Sequence, residues 1–353
     1  MKTIVMLSAL LLASNSAANA QSTIERPPQF VLMAFDNCTE LERWKEWSDF
    51  AAELNRERER VHFTFFVSGV NFIADANRGA YEGPRQRRGY ASINFGGAPD
   101  DVRMRVGYIN ALHANGHEIA SHAVGHFDGR TWSAAEWGQE FYAFKDIAKK
   151  VGPINGFGDA TKLAFPVSSI VGFRAPYLAK SAGLFTTLRD QGFRYDTSGV
   201  GSANAWPQKI DGVWRFDLVN LRINGTGKST ISMDYNFLVT QSGGFPSKEP
   251  ARRAEFRDQM VQTYIEYFKS NYSGNRAPLH IGHHFSDYQN GAYREALQIF
   301  ARMICGLPEV RCVTYSQLAD FMDAQHPEAL AAYRKGDFPR ADKPTIDLAA
   351  LTR

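Results

Sequence analysis

The sequence predicts a single α/β domain of barrel type. Short apolar runs alternate with longer amphipathic ones, and no linker-like stretch interrupts them. Polar residues of chemical interest also fall where the apolar runs end, as they do at the strand C-termini of a barrel. The runs expected as strands are 30–35, 62–67, 117–121, 170–174, 193–196, 212–219, 279–283 and 310–314. Between the first two, Leu41, Trp44, Trp47, Ala51 and Leu54 recur at helical spacing, and Thr39 with Glu42 fits a capping box. Arg252–Ser270 and Tyr293–Met303 read as further helices. Segment 74–101, rich in Gly, Arg and Asn, reads as a long insertion that either lines a groove or forms a solvated flap. Residues 242–250 read as a second loop, and the tail after His326 carries little periodic apolar signal.

Composition sets the class. Of 353 residues, 44% are hydrophobic and 22% charged, which suits a large buried core. Lys2, the apolar run Ile4 to Ala13 and the small residues Ala18-Asn19-Ala20 read as a signal peptide over residues 1–20. The expectation is a chain exported to a periplasmic or extracellular compartment. No later apolar stretch reaches the length of a membrane helix. Loss of Lys2 lowers the formal charge from +3 to +2, so nothing signals a nucleic-acid partner. Cys305 and Cys312 are close in sequence and would meet an oxidising compartment, leaving a local bridge or two buried thiols open. Cys38 reads as a small residue packed beneath a strand end.

Histidine is the informative residue. Seven of the nine fall in two clusters: His113, His117, His122 and His126, then His280, His283 and His284. In "SHAVGH" the i, i+4 spacing of His122 and His126 on one helical turn would bring both imidazoles to one divalent ion. Asp36-Asn37 ends the first apolar run, "FRAPYL" supplies Arg174 in a rigid turn, and "LHIGHH" ends a strand in imidazoles. Separately these are a helix cap, a surface ion pair and a core cluster. One hydrolytic metal site explains them together more economically. "INGTGKST" is discarded as a phosphate loop, because the motif needs Gly at the position of Arg222. The sequon at Asn271 is read as a chance match.

In order along the chain, "AFDNC", "SHAVGH", "RAPY", "YDTS" with "AWP", and "LHIGHH" resemble the five motifs of the polysaccharide deacetylase family. These are the NodB-homology domains of carbohydrate esterase family four, with the chitin deacetylases the nearer flavour. The resemblance implies a distorted (β/α) barrel over residues 27–326, a tail over 327–353, and metal-dependent removal of N-acetyl groups from N-acetylglucosamine units of a glycan. It implies Asp36 as base, Arg174 as the residue holding that base, Tyr177 as donor of a backbone N–H to the oxyanion, and His284 as acid. His283 rivals His284 by a one-residue shift; the Leu279-x-Ile281 frame favours His284. His122, His126 and Asn37 become the ligands of a divalent ion, zinc foremost, with cobalt or another ion as alternatives. Trp206 and Tyr177, with Tyr90 in reserve, become candidate platforms for sugar rings.

Two departures stand out. Asn37 offers a neutral oxygen where the family has an aspartate ligand, which implies weaker metal retention. Ala205 stands before Trp206, where the family often places an acid that keeps its histidine charged, with Asp196 or another carboxylate as substitute. A catalytically silent carbohydrate-binding barrel is the rival reading.

Overall fold

The computed structural model describes residues 24–340 and 345–351. The signal-peptide expectation lies outside these residues. Twelve strands follow in chain order: β1 (Gln29–Asp36), β2 (Thr64–Val67), β3 (Glu118–Ser121), β4 (Gly172–Phe173), β5 (Tyr195–Asp196) and β6 (Val200–Ser202). They continue with β7 (Gln208–Ile210), β8 (Val213–Arg215), β9 (Leu218–Arg222), β10 (Ser229–Ile231), β11 (Leu279–His284) and β12 (Val310–Cys312). Nine of them form one sheet in the order β11-β1-β2-β3-β4-β5-β8-β7, with β12 also paired to β1. All neighbours are parallel except the β7–β8 hairpin. A small sheet, β10-β9-β6, lies against β11 through a bridge between Met233 and Gly282. The result is a curled, incomplete barrel.

β1 is buried along its whole length, as expected of a strand covered on both faces in a parallel sheet. Its alternation sorts two cores. Phe30, Leu32 and Ala34 join Phe66, Ala120, Tyr195, Phe216 and Tyr315 inside the barrel. Val31, Met33 and Phe35 pack outward on Trp44, Trp47 and Phe50 of the helix Leu41–Leu54, and on the other helices of the outer layer. Asp36 continues the inward-facing set of β1, so the period-two pleat places its carboxylate at the mouth of the barrel.

Three sequence expectations change. The helix at Leu41 has no side-chain cap; the hydroxyl of Thr39 instead donates to Asn37 Oδ1 and accepts from Asn71 Nδ2. The run 212–219 splits into β8 and β9 at Phe216-Asp217, where the Leu218 N–H turns to the carbonyl of Gly199 and founds the small sheet. The tail carries a helix, Pro327–Lys335, whose Tyr333 packs on Trp206 and Phe321. Of the open alternatives, Cys305 and Cys312 form a disulfide and Cys38 is a buried free thiol.

That bridge ties the end of the helix Ala292–Ile304 to the last residue of β12 across a short loop. Closing a loop this short removes unfolded-state entropy worth about 2 kcal/mol. Replacing both cysteines by serine should lower stability by about that amount, read as a shift of the urea midpoint. An unchanged midpoint would show that packing of the helix end suffices without the bridge.

Candidate active site

Four strand ends and one helix start converge on a cleft of about 590 Å³. It is lined by Asp36 and Asn37 after β1, His122 and His126 after β3, Tyr177 after β4, and His284 at the end of β11. Parallel pairing of β1 with β11 puts Asp36 directly beside His284 as register partners. Two carboxylate-centred pairs are built around these neighbours.

The first pair is Asp36 with Arg174. Nη1 of Arg174 donates to Asp36 Oδ1 at 2.7 Å, and both side chains are almost fully buried. Arg174 Nε donates to Thr197 Oγ1 at 2.7 Å, Nη2 to the Tyr315 hydroxyl at 3.3 Å, and the guanidinium lies over the Phe66 ring. A charge buried at this depth persists only when paired and hydrogen-bonded, and here it is both.

The second pair is His284 with Asp234, a residue the sequence reading missed. Asp234 opens the helix Asp234–Ser242, and its Oδ2 accepts the backbone N–H of His284 at 2.8 Å. Its Oδ1 meets His284 Nδ1 at 2.6 Å. Burial alone would lower the pKa of His284, but the charge and hydrogen bond of Asp234, helped by Asp36, raise it above the usual histidine value. This carboxylate fills the role sought at Ala205. Ala205 lies elsewhere, in a separate cavity that Asp196 also lines. The signal for Asp234 in the sequence was weak: one acid following a hairpin, in no recognisable spacing to the histidines.

His283 points to the other face of β11. It is buried, contacts the Tyr264 hydroxyl at 3.1 Å, and burial brings its pKa down to about 4. The register therefore places His284, not His283, in the cleft. His113, His117 and His280 also lie outside it.

His122 and His126 do come together, with ring centroids 5.0 Å apart. The helical turn expected between them is absent. Residues 122–126 form a bend in which Ala123 and His126 have positive φ, 59° and 56°. The spacing holds because the loop folds back, not because a helix presents one face. Nδ1 of His122 meets the carbonyl of Arg174 at 2.8 Å, which leaves Nε2 for a ligand's role. Nδ1 of His126 is buried without a partner among the described residues. Burial lowers both imidazoles, His126 to about 3, so both are neutral near pH 7, as metal ligands must be. Among the described residues no group of three or more His, Cys, Asp and Glu side chains is arranged to hold a metal ion, a count that a carboxamide such as Asn37 does not enter.

Tyr177 sits in the cleft wall at φ 56°, its ring 4.8 Å from that of His126 and largely exposed. Trp206 is not brought here. It is 4% exposed, donates its indole N–H to the carbonyl of Asn275 and is covered by Tyr333, so the expected sugar platform at this position is corrected. Tyr90 stacks on Phe127 away from the cleft. Exposed Tyr235 and the half-buried Tyr288 line the cleft beside His284 instead, and neither was singled out in the sequence.

Comparison with known proteins bears on the fold. A crystal structure from Mycobacterium smegmatis, assigned as a polysaccharide deacetylase, superposes with a TM-score of 0.52 at 15% identity, covering 85% of this chain and 95% of that one. The fold is that of the polysaccharide deacetylases. A peptidoglycan deacetylase structure from Bacillus subtilis aligns at a TM-score of 0.43 and 13% identity, over 86% of this chain and 96% of its own. In sequence, chitin deacetylase 1 of Bombyx mori is 35% identical over 95 residues, 26% of this chain and 16% of that much longer protein. No family model matches the chain.

Proposed function

We propose that the chain is a divalent-metal-dependent hydrolase that removes N-acetyl groups from N-acetylglucosamine units of a glycan of chitin or peptidoglycan type. The observation that carries this reading is the pair of register partners Asp36 and His284, Asp36 ion-paired with Arg174 and His284 hydrogen-bonded to Asp234. A base and an acid side by side at one cleft are what amide hydrolysis requires. Arg174 orients Asp36, which takes the proton of an attacking water. Asp234 holds the proton on His284, which delivers it to the amine nitrogen as the C–N bond breaks. The Tyr177 backbone N–H is assigned to the oxyanion.

The donor set suits a divalent ion, zinc foremost and cobalt or another ion after it: two neutral imidazoles, one with an orphaned buried nitrogen, and the carboxamide oxygen of Asn37. Such an ion, when bound, polarises a carbonyl and acidifies water. His122, His126 and Asn37 would hold it, with less Coulomb attraction than a ligand set containing a carboxylate. Tyr177, Tyr235 and Tyr288 offer ring faces or edges to a sugar chain. The reading implies export to a periplasmic or extracellular site where such glycans lie.

Acetate release from an N-acetylglucosamine oligomer by metal-stripped protein, with and without added zinc, tests the proposal. Zinc-dependent release is expected. Absence of release with zinc and with cobalt, on both chitin and peptidoglycan fragments, would favour the second reading, a silent carbohydrate-binding barrel, for which Asn37 at a ligand position is the specific observation.

Asp234→Asn gives a sharper signature. The raised pKa of His284 means that its proton, and the stability its pairing adds, are present at low pH and are lost as pH rises through that raised value. Removing the carboxylate lowers the pKa, so the alkaline limb of kcat/KM should move to lower pH. The rate near neutrality should fall about 100-fold, the lower end of what a positioned acid contributes. A uniform loss at all pH values would detach Asp234 from the acid role.

A further inference from the structure

The bend that carries His122 and His126 has an unusual support. Glu140, fully buried on the helix Ala134–Lys149, receives three donors: the backbone N–H of Val124 at 2.9 Å, that of Gly125 at 3.1 Å, and the hydroxyl of Tyr81 at 2.8 Å to Oε2. The two amides belong to the residues between the histidines. Burial raises the pKa of Glu140, while these three donors act against that rise. The helix itself is anchored in the outer core through Trp137, Phe141 and Phe144.

Tyr81 comes from segment 74–101, which contributes nothing to the cleft lining. The same segment grips the bend from its other side. The Ser92 N–H donates to the Gly125 carbonyl at 2.9 Å, and the Ser92 hydroxyl donates to the carbonyls of Gly125 and His126. Space is tight as well: a Cβ at Gly125 would lie 2.4 Å from the Phe127 ring and 2.6 Å from the Tyr81 hydroxyl. The bend contains two non-glycine residues in the left-handed region, a conformation that costs free energy and persists only where its surroundings impose it.

We infer that Glu140, together with Tyr81, is a positioning residue for the metal-ligating histidines, and that segment 74–101 serves as a brace for their loop. This inference rests on the metal-dependent reading of the site. It assigns a role to a buried carboxylate that touches neither substrate nor ligand atoms. Hydrogen-bond partners that orient metal ligands commonly set affinity by 10- to 100-fold.

The test uses the whole chain and three readouts: zinc affinity by competition with a chromophoric chelator, unfolding temperature of the metal-free protein, and hydrogen exchange at the Val124 and Gly125 amides. Glu140→Gln keeps the shape and replaces one acceptor oxygen by an amide donor; Tyr81→Phe removes one donor and leaves both amide bonds. Glu140→Gln should weaken zinc 10- to 100-fold and speed exchange at both amides, and Tyr81→Phe should move both in the same direction by less. A lowered unfolding temperature with wild-type zinc affinity in the folded protein would make Glu140 a purely structural residue and overturn the inference. If Glu140→Gln does not fold, Tyr81→Phe decides alone, and unchanged zinc affinity in it counts against the inference. Wild-type protein that binds neither zinc nor cobalt would overturn both this inference and the metal-dependent reading. Wild-type binding with unaffected variants would overturn the inference only.

Discussion

Asp36→Asn should reduce acetate release by about 10²- to 10⁴-fold, the range a positioned general base contributes. The substitution is nearly isosteric, and the carboxamide oxygen can still accept from Arg174 Nη1, which holds the present carboxylate at 2.7 Å. Loss of charge, not of shape, is therefore what the variant reports. Zinc affinity and glycan binding should change little, because His122, His126 and Asn37 are untouched. Assays of turnover, of zinc by chelator competition and of oligomer binding by calorimetry separate the cases. Turnover equal to wild type would remove Asp36 from the mechanism. A protein with no turnover to lose, and with glycan affinity unchanged by the substitution, would be the silent barrel.

Arg174→Met is the second large effect, and it falls on stability. Methionine fills a similar volume but leaves the Asp36 carboxylate, 3% exposed, with its buried cation gone. Thr197 Oγ1 and the Tyr315 hydroxyl lose their donor at the same time. Removing one partner of a buried ion pair costs about 3–5 kcal/mol. The urea midpoint should fall accordingly. Because the cost is mostly that of a stranded charge, Arg174→Met should destabilise the Asp36→Asn protein much less than the wild type. Equal destabilisation in the two backgrounds would mean that the guanidinium acts through the Phe66 ring and its neutral partners, independently of Asp36.

The strands that position the site were legible because parallel strands covered on both faces are nearly continuous apolar runs. The end of such a run marks the barrel mouth, so Asp36 and His284 could be found from sequence. The loops between strands were less legible. The i, i+4 spacing of His122 and His126 fits a helical turn and equally a bend with two left-handed residues, and contacts from Glu140, Ser92, Gly69 and Val70 select the second. Asp234 was missed because its partnership with His284 depends on a bridge between Met233 and Gly282 far along the chain. Trp206 was misplaced because a motif position does not reveal which neighbours cover a ring; Tyr333, from a tail that reads as featureless, does so.

The register of β1 against β11 divides the site by stiffness. Asp36 and His284 are fixed by the spacing of adjacent strands, about 4.8 Å in any sheet. The two imidazoles ride on a bend whose shape depends on a few hydrogen bonds, those from Gly69, Val70 and Ser92 and those to the Glu140 side chain. Warming should therefore loosen the bend of His122 and His126 first, while Asp36 and His284 keep their geometry until the sheet itself melts. On the proposed metal-dependent reading, heat would first produce a folded protein that has let go of its ion, with Asp36 and His284 still aligned across the cleft.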